Sequence, residues 1–239
     1  MEKTRPQAGR AQRFSFEDYL RQLTGGIPDA SRPIYRACRY AWDVQDKPSE
    51  LPSSLDVALI LNELGVDETT LIVTLLSDAR LLNDDFFHLV EKEFGKEIHH
   101  LVKNLRWIHD FQIDVSTMTG PEQAERLRRM LLSMVEDVRV VLIKLAFRVQ
   151  RLRMLATADE ETRQRIARET LEIFAPLANR MGVGQLKWEL EDLSFRYLEP
   201  LTYKRVAKML EEKREEREQY IRDVVQDIKQ MLADQGVNA

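Results

Sequence analysis

The chain is poor in cysteine, glycine, proline and histidine, and nearly balanced in charge. A single cysteine, Cys38, stands among 239 residues. That rules out an internal disulfide framework and fits a reducing cytosol. Its setting on an apolar helical stretch makes it a core residue rather than a reactive thiol. Nine glycines and eight prolines are few for this length, and most fall between periodic segments. The net charge of −4 gives no global electrostatic case for binding nucleic acid. No apolar run approaches the ~20 residues needed to span a bilayer. The opening MEKTRPQAGRAQR is basic without an apolar core, so it does not read as a signal peptide. A P-loop, a glycine-rich nucleotide fingerprint and a Cys–His nucleophile arrangement are all missing. No segment alternates apolar and polar residues, which removes the strand signal and leaves an all-α chain.

What is present is helical periodicity. The strongest stretch runs from Glu136 to Thr157, with apolar residues at Val138, Val141, Leu142, Leu145, Val149, Leu152 and Leu155. Val140–Ile143 makes it apolar nearly all round, so it belongs at the centre of a domain. It also carries Lys144, Arg148 and Arg151 at spacings of four and three, on one face. Such a basic seam either lines a pocket or snorkels to the surface. Around it the pattern predicts helices over Phe16–Leu23, Arg32–Asp46, Leu55–Leu64, Glu68–Leu82, about 84–94 and Lys96–His109. A loop over Phe111–Gly120 and a helix over Pro121–Val135 follow. Beyond the central stretch come one long helix over Glu160–Asn179, another over Gln185–Tyr197 and a last over Tyr203–Asp234. Residues 1–13 read as a disordered tail. The run EEKREERE at 211–218, with Lys208–Glu212 and Arg214–Glu218 four apart, reads as a solvated helix face.

Residue chemistry alone gives no active site. His99 and His100 are adjacent on a helix and point about 100° apart, too far to share one metal. His109-Asp110 sits at a helix end, where a histidine serves the dipole, and His88 stands alone. The acidic residues are scattered over solvated faces.

The run EDVRVVLIKLAFRVQRLRML, followed by FAPLANRMGVGQLKWELEDLSFRYLEP, closely resembles the RelA/SpoT family of (p)ppGpp synthetase/hydrolase enzymes. The resemblance covers Phe14 to Ala239. It implies a helical HD domain over 14–182, then linking helices over 183–239 that lead to a synthetase domain. Active members hold manganese through histidine and aspartate and remove pyrophosphate from the 3′ position of (p)ppGpp. The metal polarises the phosphate and activates water, and neighbouring carboxylates take the proton.

Carried over by position, the family's first histidine ligand is Ser53, in SSLDVA. Its His-Asp pair is Ser77 and Asp78, in LSDARLL. The two carboxylates that activate water are Leu81 and Leu82. The last aspartate ligand is Phe147, in KLAFRVQR, and the asparagine after it is Arg151. The family's nucleotide-contacting Arg-Lys falls near Asp43 and Val44. One ligand of four survives, so the resemblance implies a degenerate, catalytically inactive hydrolase domain of the synthetase-dominant RelA branch, with no metal or other cofactor. A residual metal-dependent hydrolase or a nucleotide-sensing domain is the alternative; the basic seam Lys144, Arg148 and Arg151 would serve the latter. Two further expectations concern the old site itself: Phe147, Leu81 and Leu82 fill it, and Arg80 or Arg151 pairs with Asp78. The synthetase motifs would lie beyond Val237, which reads the chain as an N-terminal portion. Its expected partner is its own synthetase domain, with the ribosome engaged through C-terminal domains absent here, in the cytoplasm, and with no contact to membrane or nucleic acid.

Overall fold

The computed structural model describes residues 15–47, 49, 51–110 and 137–234. These residues form helices and turns, with no strand among them. The expected tail, the loop over Phe111–Gly120 and the helix over Pro121–Val135 lie outside the described residues. The chain divides into two compact units, one ending at Ser194 and one beginning at Phe195.

In the first unit the helices are α1 (Phe16–Thr24), α2 (Pro33–Asp43), α3 (Ser54–Glu63), α4 (Glu68–Leu76), α5 (Asp84–Phe94), α6 (Lys96–Asp110) and α7 (Val138–Met154). After a 3-10 turn over Leu155–Thr157 come α8 (Glu160–Glu169), a π turn (Thr170–Phe174) and α9 (Ala175–Arg180). Then α10 (Gly184–Leu198) crosses the unit boundary. Each start has a side-chain cap where the sequence offers one. Ser15 and Asp18 form a capping box on α1, and Asp67, Asn83 and Asp159 cap α4, α5 and α8.

The core is built on two helices. α4 buries every residue from Thr70 to Leu76, so it is enclosed on all sides by α2, α3, α6 and α7. α7 is the expected central helix, and it buries Val140, Val141, Ile143, Leu145, Ala146, Phe147, Val149 and Leu152 against α3 and α6. Burying one such aliphatic side chain contributes about 1.5–3 kcal/mol. Cys38 is fully buried in α2, and removal from water pushes its thiol up to about 12.

Three elements differ from the sequence pattern. α4 stops at Leu76 rather than Leu82. Ser77 closes it by donating its hydroxyl to the Val73 carbonyl at 2.6 Å, and the Asp78 carboxylate then binds the next turn instead of continuing the helix. α2 ends at Asp43 rather than Asp46, leaving 44–47 as a turn. The long helix over 160–179 is broken into α8, the π turn and α9. Its cause is Pro176, which has no N–H and whose ring crowds the carbonyl four residues back. The chain answers with one wide turn in which the Ala175 N–H reaches back five residues to the Thr170 carbonyl.

The second unit is dominated by α11 (Pro200–Asp234), 35 residues long. Its expected ion pairs form, Lys208–Glu212 at 3.8 Å and Arg214–Glu218 at 3.9 Å. Near its start, Phe195 and Tyr203 stack edge to face, 5.7 Å between centroids.

Candidate functional site

The turn after α4 carries Asp78, the start of α3 carries Ser53 and Ser54, and the middle of α7 carries Phe147. Asp78 is 1% exposed. Its two oxygens are taken by Arg80 in a fork, Nε to Oδ1 at 2.7 Å and Nη2 to Oδ2 at 2.7 Å. The Ser54 amide donates to Oδ2 at 2.9 Å and the Arg80 amide to Oδ1 at 3.1 Å. Burial alone would raise this carboxyl. The Arg80 guanidinium and the two amides outweigh burial and hold it below the ordinary carboxylate value. Arg80 moves the other way, held above its ordinary value by the hydrogen bonds and charge of Asp78 against partial burial. The remaining arm of Arg80, Nη1, donates to the carbonyls of Gln45 at 2.9 Å and Lys47 at 3.4 Å. Of the two arginines expected to meet Asp78, the structure places Arg80 there.

The other family positions bring no metal donor of use. Ser53 caps α3, its Oγ accepting from the Leu55 amide at 3.3 Å. The Ser77 hydroxyl is turned into its own helix. Leu81 and Phe147 are buried and Leu82 is half-buried. Among the described residues no three His, Cys, Asp or Glu side chains gather as a metal site requires. A divalent cation needs several free oxygen or nitrogen donors. This site offers one carboxylate already paired with a cation, so the residues present do not fit the family's manganese. Gln150, in the same α7 motif, instead donates to Asp56 of α3 at 3.0 Å. Asp43, near the family's Arg-Lys position, pairs with Arg39 at 3.1 Å.

His99 and His100 have different neighbours. His99 packs edge-on to Phe87, and His100 Nε2 lies 3.0 Å from the Asn104 amide nitrogen. The side chains of His109 and Asp110 lie outside the described residues.

The basic seam of α7 neither lines an open pocket nor simply snorkels at Arg148. That guanidinium turns inward to the π turn. Nη2 meets the Glu169 carboxylate at 2.8 Å and the Ile166 carbonyl at 3.2 Å. Nε donates to the Thr170 hydroxyl at 2.8 Å, and the guanidinium carbon lies 4.4 Å over the Phe174 ring. Burial lowers its proton affinity, Glu169 opposes that, and the nearby charges of Arg165 and Arg151 reinforce it. Lys144 and Arg151 are half-buried. The Glu169 partner and the π turn were not visible in the sequence. Pro176 inside a helical pattern signals a disturbed helix there, and nothing in the sequence signals the Glu169 partner.

Residues 37–184 match the HD domain family. The GTP pyrophosphokinase of Escherichia coli K12 is 38% identical over 227 residues, covering 92% of this chain and 28% of that protein. The GTP pyrophosphokinase of Myxococcus xanthus is 41% identical over 187 residues, covering 77% of this chain and 24% of that protein. A probable guanosine-3′,5′-bis(diphosphate) 3′-pyrophosphohydrolase of Synechocystis is 36% identical over 230 residues, covering 92% and 30%. The chain belongs to the HD-domain family, and most of its length is similar to part of RelA/SpoT-type proteins that carry synthetase and hydrolase names. It spans about a quarter to a third of the length of these relatives.

Proposed function

We propose that this chain is a non-hydrolytic HD domain that regulates a longer (p)ppGpp-synthesising enzyme. The observation that carries this reading is the Asp78–Arg80 pair. The one surviving ligand position is buried and bound to a guanidinium, while Ser53, Ser77, Leu81, Leu82 and Phe147 supply neither metal donors nor a base for water. The relatives carry both synthetase and hydrolase names, so the names leave the activity open and the site residues favour the inactive branch. In this reading the domain needs no cofactor. Its first partner is the synthetase domain of the same chain, the parent enzyme meets the ribosome through other domains, and the protein works in the cytoplasm. Among the described residues no helix is long and apolar enough to cross a membrane.

The test is ppGpp turnover by the purified chain with excess manganese, with bound metal measured on the same sample. No pyrophosphate release and no bound metal are expected; metal-dependent release would overturn the reading.

A further inference from the structure

We propose that Arg80 takes over the structural work of a bound cation in this domain and closes the site to divalent metal. Three stretches meet at the Asp78–Arg80 ion pair. One is the turn of Asp78. Another is the start of α3, through the Ser54 amide on the same carboxylate. The third is the 44–47 turn, through the carbonyls of Gln45 and Lys47. A metal ion joins segments by collecting oxygens around one positive charge. Arg80 collects four oxygens, two from a carboxylate and two from backbone, and does so with directed N–H groups.

Charge and burial point the same way. Asp78 is 1% exposed and the Arg80 side chain 10%. An isolated carboxylate that deep would be strongly disfavoured, and the guanidinium removes that difficulty without any ligand from solution. A divalent ion approaching Asp78 has to break a two-pronged buried ion pair and then meet a fixed positive charge. The second serine of the site is also unavailable, because the Ser77 hydroxyl is committed to the Val73 carbonyl. The domain therefore folds independently of metal, and the 44–47 turn is held down by the same residue that neutralises Asp78. This follows from the geometry around Arg80 and holds whether or not the domain restrains a synthetase.

The test is thermal unfolding of the full chain with EDTA, with manganese chloride and with neither, for the wild type, Arg80→Ala and Arg80→Lys. The wild-type Tm is expected to be the same in all three conditions. Arg80→Ala loses on the order of 10 °C. It regains part of that with tens of millimolar guanidinium chloride, a concentration that gives the wild type nothing. Arg80→Lys falls between, because an ammonium cannot span both carboxylate oxygens and two carbonyls. Hydrogen exchange of Arg80→Lys is expected to quicken over 44–57 while 138–154 is unchanged, which keeps the proposal open to test should the alanine variant not fold. A wild-type Tm that rises with manganese, an Arg80→Ala variant as stable as the wild type, or exchange that quickens equally throughout would each overturn it.

Discussion

A guanidinium taken out of water needs a counter-charge and a partner for its N–H groups. Arg148 has Glu169, Thr170, the Ile166 carbonyl and the Phe174 face. Arg148→Ala strands Glu169 in the interior and is expected to cost about 3–5 kcal/mol in urea unfolding. Replacing both partners, Arg148→Met with Glu169→Met, is expected to cost less than that single change, because no unpaired charge remains. Asp78 makes the pH prediction. Its folded-state pKa is lowered, so its contribution to stability is complete above the ordinary carboxylate value near ~4. That contribution is lost as pH falls through the lowered folded value. Asp78→Asn is expected to flatten the acid limb of the Tm-against-pH curve while lowering Tm at neutral pH. At this scale the sequence was readable where the motif was contiguous. SSLDVA, LSDARLL and KLAFRVQR are the contiguous runs on which the resemblance placed its ligand positions, and the pairing of Asp78 was narrowed to two arginines, of which Arg80 is seen to meet it. It was not readable for Glu169, which meets Arg148 across two helices and leaves no local trace.

Helix boundaries here are set by side chains that capture the backbone. The periodicity over 68–82 is continuous, yet α4 stops at Leu76 because the Ser77 hydroxyl takes the Val73 carbonyl and the Asp78 carboxylate takes the Arg80 amide, groups that a longer helix would pair within itself. Periodicity counts apolar faces and is blind to that competition. The π turn is a second case. Thr170 is fully buried, donates to the Ile166 carbonyl at 2.7 Å and accepts from Arg148. Thr170→Val keeps the shape and removes both bonds. It is expected to cost about 1–3 kcal/mol and to speed amide exchange over 166–176 more than over α4, measured by mass spectrometry. That the stretch 160–179 is helical was legible, as one unbroken helix. The wide turn between α8 and α9 was not, because Pro176 can end a helix, kink it or widen it, and only the packing of Arg148 against Phe174 decides among these.

At the scale of the whole molecule, the apolar pattern read from the sequence concentrates in the first unit, where α4 and α7 hold the core. The second unit places apolar side chains such as Leu210, Ile221, Ile228 and Met231 in exposed positions along α11. Stability is therefore expected to reside in the first unit. A chain ending at Glu199 is expected to keep its Tm within about 2 °C, and a larger loss would show that α11 supports the core. The all-α class was legible because helical spacing is a local signal. The division near Ser194 was not, because α10 runs through it without a break in periodicity. α11 also has a mechanical consequence. Its 35 residues rise about 52 Å from end to end, and no proline or glycine interrupts it after Pro200. As a stiff rod, it turns a tilt of about 10° at its first turn into a sweep of about 9 Å at its tip. Phe195 and Tyr203 meet at that first turn, so any change of their packing that tilted the helix would be magnified at its far end, about 5 nm away.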